Sequence, residues 1–217
     1  MSFLEDNLET KVSDLLNLLQ NQIIRNTTYF GIPTLKNPLD FWIYQEILYE
    51  VKPNIIIEIG NFRGGSTLAL AHVLDNLNIP NSKIIAVDLN HDTVHEPTRN
   101  HEKVHLIKSN ALHCVDKVKA LINQDDKVLV IEDSSHIYEE TIEILRLYSP
   151  LVSIGSYFIV EDSIVDNGLK VNYIKHNGGP YRAINEFIEE NNNFEIDRKR
   201  EKFILTWNPK GFLKRVR

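Results

Sequence analysis

The segment Ile55-Ile56-Ile57-Glu58-Ile59-Gly60-Asn61-Phe62-Arg63-Gly64-Gly65-Ser66 constrains the fold more than any other part of the chain. Its apolar run does not alternate with polar residues, which is the pattern of a parallel strand buried on both faces. Three glycines and a serine follow directly, and Thr67-Leu68-Ala69-Leu70-Ala71-His72-Val73-Leu74 then reads as the start of a helix. A glycine-rich turn between strand and helix lets bare backbone N–H groups approach a ligand, because glycine has no side chain in the way and tolerates positive φ. The same turn also serves as a plain connection in proteins that bind nothing there. The spacing is not the G-x-G-x-x-G of dinucleotide-binding folds.

Strand-like and helix-like patterns alternate from this point. Strands are predicted at 54–59, 83–88, 103–107, 127–132 and 155–160, and helices near 66–77, 111–122, 137–148 and 180–191. Repeated βα units of this kind specify an α/β fold, a mostly parallel sheet with helices on both faces. Residues 194–197 and 203–207 read as an antiparallel pair at the sheet edge. Upstream, Asp40 is placed to cap a helix over 41–51 that ends before Pro53. Leu8, Val12, Leu15, Leu16, Leu19, Ile23 and Ile24 recur at helical intervals, predicting an amphipathic helix over 4–25. That helix either covers the sheet or pairs with a second copy in a homo-oligomer. The 217 residues suit one domain, with 1–52 as a helical cap on a core of 53–217.

A formal charge of −6 argues against nucleic acid as the main partner, and the basic end from Lys210 to Arg217 reads as a solvated tail. No apolar run reaches the roughly 20 residues that span a bilayer. The N-terminus lacks the basic start of a secretory signal, and the single Cys114 suits a reducing compartment. The expectation is a cytoplasmic protein without a membrane span.

Ligands of open α/β sheets bind past the carboxyl ends of the strands, so the acids there matter most. Asp88 ends Ile84-Ile85-Ala86-Val87-Asp88 and is placed either to accept from both hydroxyls of a ribose or to cap the next turn. Glu132-Asp133-Ser134-Ser135-His136 ends one strand, and Val160-Glu161-Asp162-Ser163 ends another. Asp133, Glu161 and Asp162 on neighbouring strands repel one another unless protonated or neutralised. A hard divalent ion such as Mg²⁺ answers that problem; separate capping roles are the alternative. His136, three residues past Asp133, is a candidate general base or a cap. His91 and His95 flank a polar loop and read as solvated.

With these motifs together the chain resembles the cephalosporin hydroxylase family, which is similar to S-adenosylmethionine-dependent O-methyltransferases and includes rhamnosyl O-methyltransferases. The resemblance spans about 28–217. It rests on Tyr29-Phe30-Gly31, Pro38-Leu39-Asp40, Glu58-Ile59-Gly60, Gly64-Gly65-Ser66, Asp88, Asp133-Ser134-Ser135-His136, Gly155-Ser156-Tyr157-Phe158-Ile159-Val160-Glu161-Asp162 and the stretch from Thr206 to Arg215. It implies a Rossmann-like class I methyltransferase fold and a donor site of Glu58, Gly60, Asn61, Gly64, Gly65, Ser66, Asp88 and Asn110. It further implies a Mg²⁺ site of Asp133, Glu161 and Asp162, with Glu132 placed to extend or perturb it. His136 and Asp133 are then the catalytic pair, acting on a sugar hydroxyl of a small molecule or glycan. Tyr29, Phe30, Tyr157 and Arg182 are acceptor-side candidates, core packing being the alternative for each aromatic. The polar segment 163–179 reads as a flap that sets acceptor choice. A catechol-type acceptor is the competing enzyme reading; a nicotinamide-dependent oxidoreductase and a non-catalytic ligand-binding subunit stand further off.

Overall fold

The structure, a computed structural model, describes residues 3–167, 169 and 178–217. Most of the flap expected at 163–179 therefore lies outside the described residues. Two short strands, β1 (Thr28–Tyr29) and β2 (Ile32–Pro33), form an antiparallel hairpin. The main sheet holds β3 (Ile55–Ile59), β4 (Lys83–Asp88), β5 (Val104–Lys108), β6 (Val128–Glu132), β7 (Tyr157–Val160), β8 (Phe194–Ile196) and β9 (Phe212–Arg215). Their spatial order is β5-β4-β3-β6-β7-β9-β8. The first five are parallel, and β9 runs antiparallel to both β7 and β8. Strand order reverses between β3 and β6, which opens a crevice at their carboxyl ends.

Side chains alternate across the sheet. Ile55, Ile57, Ile59, Val128, Val130, Phe158 and Val160 meet Ile142, Leu145, Ile184 and Phe187 of helices α6 (Tyr138–Tyr148) and α7 (Pro180–Glu190). Ile56, Leu129, Ile131 and Ile159 meet Ile47 and Leu48 of α2 (Pro38–Val51) and Leu70 and Leu74 of α3 (Gly65–Asn76). Ile59 lies level with Glu132, and Glu132 with Val160. Continuing the alternation, Glu58, Asp133 and Glu161 all belong to the α2/α3 face, close to one level.

Four expectations change. First, α2 begins at Pro38, and its cap is Asn37, whose side chain accepts from Leu39 N. Proline fits the first turn because the N–H it lacks would have no helical partner. Asp40 is instead buried inside that turn. It accepts from the Thr206 hydroxyl at 2.6 Å, Trp207 N at 2.7 Å and Asn37 Nδ2 at 2.9 Å. Second, Phe194–Ile196 pairs with Phe212–Arg215 and not with 203–207. The latter stretch is held out of the sheet by the bonds of Thr206 and Trp207 to Asp40, while β9 buries Phe212 and Leu213 between its neighbours. Third, the N-terminal helix is interrupted: a 3₁₀ turn at Leu4–Asp6, α1 at Val12–Leu19 and a π turn at Gln20–Ile24. Leu16 and Leu19 pack against Ile164, Val165, Leu169 and Trp207, whereas Leu4, Leu8 and Val12 remain exposed. After the short α4 (Glu96–Arg99), the expected helix at 111–122 is also shorter, a 3₁₀ turn at Ala111–His113 followed by α5 (Val115–Lys119).

Burial raises the Asp40 carboxyl to about 6, its three hydrogen bonds pulling against that rise. A raised folded-state value means that the stabilising contribution is complete below the ordinary carboxylate range and is lost as pH rises through about 6. The stability advantage of wild type over Asp40→Asn is therefore expected to be roughly 1 kcal/mol larger at pH 5 than at pH 7, read from urea unfolding. An advantage that shrinks at pH 5 contradicts this.

Candidate active site

The glycine turn after β3 is built against the end of β6. Gly60 has φ +82°, and a Cβ there would sit 2.0 Å from the Asp133 carbonyl oxygen. Only glycine allows the two strand ends to meet. Gly64, φ +85°, is the N-cap of α3. Asp88 ties the turn down from β4: one carboxylate oxygen accepts from Asn61 N at 3.0 Å and Phe62 N at 3.1 Å, the other from Asn90 N at 3.1 Å. Glu58 is fully buried and accepts 2.5 Å bonds from the Ser66 and Thr67 hydroxyls at the helix start. Burial raises its pKa, against the pull of Lys36 and the two hydroxyls. Asn61 is buried with its Oδ1 3.2 Å from His91 Nε2. His91 is thus not solvated: it packs beneath the turn, and burial lowers its pKa.

Over this turn lies a cavity of about 420 Å³, lined by Gly60, Phe62, Asp88, Leu89, Asn90, Asn110, Ala111, Leu112, Ile144 and Asp133 to Ser135, among others. Its size and its mix of apolar wall and few polar groups suit a nucleoside-sized ligand. Of the expected donor residues, Gly60, Asp88 and Asn110 line it. Glu58, Asn61, Gly64, Gly65 and Ser66 stand behind it and shape the turn; a Cβ at Gly65 would lie 2.2 Å from Thr34 Oγ1, under the β1–β2 hairpin. Phe62, Leu89 and Asn90 are additional walls, visible in the sequence only as loop residues.

Asp133 belongs both to this cavity and to an acid cluster beside it. One oxygen each of Asp133 and Asp162 and a ring nitrogen of His136 lie within 4.8 Å of one another. His136 Nε2 is 3.3 Å from Asp162 and 3.8 Å from Asp133. His136 (φ +56°) and Asp162 (φ +54°) both hold the left-handed conformation, which costs a non-glycine residue on the order of 1 kcal/mol or more and recurs at functional sites. Burial lowers the His136 pKa, but Asp162, Asp133 and Glu132 outweigh it and the net shift is upward. Burial raises Asp162, with His136 opposing. Glu161 is raised well above its ordinary range by burial and by Asp133.

The third acid of the expected metal set is engaged differently. Glu161 accepts a 2.6 Å bond from the Lys36 ammonium, which also bonds Asp133. Nothing in the motifs pointed to Lys36. Burial lowers its pKa, yet Asp133, Glu161 and Glu58 reverse that and hold it charged. Glu132 lies on the opposite face of β6, where it accepts from the Ser134 backbone and hydroxyl. It is not in the group that could hold an ion.

The acceptor-side candidates scatter. Tyr157 is the first residue of β7, at the far end of the strand from Glu161, and its hydroxyl donates to Asp197 at 2.7 Å; it is a core residue. Tyr29 bonds His72 Nδ1 at 3.0 Å on α3, and Phe30 packs edge-on against the same ring while largely exposed. His72 lies two helical turns along α3 from Gly65. Arg182 stacks over the Tyr138 ring at 3.9 Å, on the rim where α6 begins after His136.

The profile of the rhamnosyl O-methyltransferase/CmcI family matches residues 21–216. A rhamnosyl O-methyltransferase of Mycobacterium leprae (strain TN) is 35% identical over 198 residues, which make up 89% of this chain and 85% of that relative. One from Mycobacterium bovis is 34% identical over 198 residues, covering 89% and 80%. Among solved structures, CmcI described as its Mg–SAM form aligns with a TM-score of 0.68 at 20% identity, over 89% of this chain and 78% of that one. An O-methyltransferase from Bacillus cereus, in complex with SAH, gives 0.58 at 15% identity, over 88% and 86%. At these identities the solved structures establish a shared fold.

Proposed function

The chain belongs to the rhamnosyl O-methyltransferase/CmcI family, and from that premise we propose an S-adenosylmethionine- and Mg²⁺-dependent O-methyltransferase acting on a sugar hydroxyl. The acceptor is a deoxysugar such as rhamnose, on a glycan or a small glycoside. The observation that carries this reading is that the nucleoside-sized cavity and the acid cluster share one wall, Asp133. Donor and acceptor sites of a group transfer must open onto each other, and here a single residue borders both.

When bound, the donor supplies an activated methyl group, and a divalent ion acidifies a nearby hydroxyl. The chain's own residues supply the rest. Backbone of the Gly60 turn and the Asp88 and Asn110 side chains hold the nucleoside. Glu58, Ser66 and Thr67 keep that turn rigid from behind. Asp133, Asp162 and, after rearrangement, Glu161 are the oxygen donors for the ion. The fit is supported by the clustering of buried carboxylates whose pKa values are raised, a penalty that a cation relieves. His136 is the residue placed to take the hydroxyl proton: its Nε2 faces the cluster, and neutralising the neighbouring acids frees it to act as a base. Arg182, on the rim, is the remaining acceptor-side candidate. Residues 1–52 serve as a cap on a core of 53–217.

Leu4 and Leu8, with Val12 at the start of α1, are exposed and support self-association of the N-terminal segment. Among the described residues no helix is long and apolar enough to cross a membrane. The free, buried Cys114 supports a cytoplasmic setting.

Incubation with S-adenosylmethionine, Mg²⁺ and a panel of rhamnosides, catechols and other small acceptors, read by mass spectrometry, tests the reading. A methylated rhamnoside supports it. Methylation confined to catechols replaces the acceptor, and no methylation with any acceptor overturns it.

A further inference from the structure

Lys36 is a buried cation inside a cluster of acids, and nothing in the proposed transfer uses it. Its position is fixed by the chain on both sides. Its backbone N–H donates to Thr27 Oγ1 at 3.1 Å, and the next residue, Asn37, caps α2. The β1–β2 hairpin, seated on Gly65 through Thr34, therefore delivers Lys36 to the face of the sheet that carries Glu58, Asp133 and Glu161. The ammonium bonds Asp133 and Glu161, and Glu58 adds a further favourable charge. The side chain is 8% exposed. One monovalent charge thus balances part of a buried anionic cluster that, with Asp162, is richer in acids than in cations.

We infer that Lys36 is a tethered counter-ion that holds the Asp133–Glu161 pair in the ion-free protein and is exchanged for the divalent cation when that cation binds. The inference rests on the reading of this cluster as a divalent-ion site. An ammonium and a divalent ion held by one carboxylate pair repel each other strongly at low dielectric, and the ammonium occupies one oxygen of each acid. Lysine, unlike arginine, is a compact point charge on a flexible four-carbon stem, so the ammonium can leave while the anchored backbone stays. The exchange lets the acids stay assembled without an ion, and the ion's affinity is lowered by the competition.

The test is calorimetric titration of Mn²⁺ into wild type, Lys36→Met and Lys36→Arg, with thermal unfolding of each in chelator and in Mn²⁺. Lys36→Met keeps the stem length and removes the charge. It is expected to bind Mn²⁺ at least tenfold more tightly than wild type, to melt lower than wild type in chelator, and to gain more from Mn²⁺. Lys36→Arg, which keeps the charge, is expected to bind no more tightly than wild type. Should Lys36→Met fold only with Mn²⁺ present, that itself supports the exchange, and its affinity is then read by competition against a chelator. Equal affinities for wild type and Lys36→Met overturn the exchange and leave the metal site standing. Absence of Mn²⁺ binding by both proteins overturns the metal site, and the exchange with it.

Discussion

Asp133→Ala is expected to lower kcat by about a thousandfold or more while leaving the stabilisation by S-adenosylhomocysteine close to that of wild type. The magnitude follows from what a divalent ion contributes to acidifying a hydroxyl, several kcal/mol, at about 1.4 kcal/mol per tenfold in rate. The split between the two readouts follows from geometry. The Asp133 backbone abuts Gly60 and helps form the cavity floor, whereas its carboxylate points to Lys36, His136 and Asp162. Removing the carboxylate deletes the acid common to both sides and leaves the floor in place. Steady-state kinetics and thermal shift with S-adenosylhomocysteine measure the two effects on one preparation. Loss of donor-product binding with little loss of kcat would mean that Asp133 acts in the donor site and not on the acceptor.

Gly60→Ala has the second large effect, and it falls on the donor side. The added methyl group would lie 2.0 Å from the Asp133 carbonyl oxygen, 2.6 Å from its carbon and 2.9 Å from Ser134 Cα, on a residue at φ +82°. Backbone cannot yield as a flexible side chain can, so β3 and β6 must part at their carboxyl ends. A positive φ alone costs an L-residue about 1–2 kcal/mol, and the displaced backbone adds to it, for a total of roughly 3 kcal/mol or more. The variant is expected to lose that much in urea unfolding and to show no stabilisation by S-adenosylhomocysteine. Wild-type stability and ligand response in Gly60→Ala would show that the two strand ends do not meet as described.

Much of this arrangement is legible in the chain itself, because period and turn chemistry act locally. The apolar run Ile55–Ile57, resumed at Ile59, announces a strand buried on both faces, and the glycines after it announce the turn. Asp133, Glu161 and Asp162 stand out as acids just past apolar strands, whereas the shared face of Glu58, Asp133 and Glu161 follows only from the register of β3, β6 and β7. That Asp133, Glu161 and Asp162, gathered at neighbouring strand ends, call for a cation was also legible. Which cation was not. Lys36 reaches the cluster only because the β1–β2 hairpin folds back over α3, a long-range event with no periodic signature. The same cause misled the reading of Asp40, which has the look of a cap but is drawn inward by Thr206 and Trp207. Those residues are more than 160 positions away. It also displaced 203–207 from the sheet, since the β-like pattern of Phe203 to Trp207 is overridden once Asp40 claims the Trp207 N–H. Tyr157 illustrates a different failure. It sits in a motif whose last residues are at the site, yet it opens the strand and Glu161 follows its end, and a strand of this length sets the two ends roughly 10 Å apart.

Crystals grown with S-adenosylhomocysteine and Mn²⁺, and measured at the manganese absorption edge, bear most directly on the claim that a methyl donor and a divalent ion meet across Asp133. The expected map has one anomalous peak coordinated by Asp133 and Asp162, with the donor product over the Gly60 turn and its sulfur facing that peak. A nucleoside bound away from the Gly60 turn, or manganese absent from these acids in a fully occupied crystal, contradicts it.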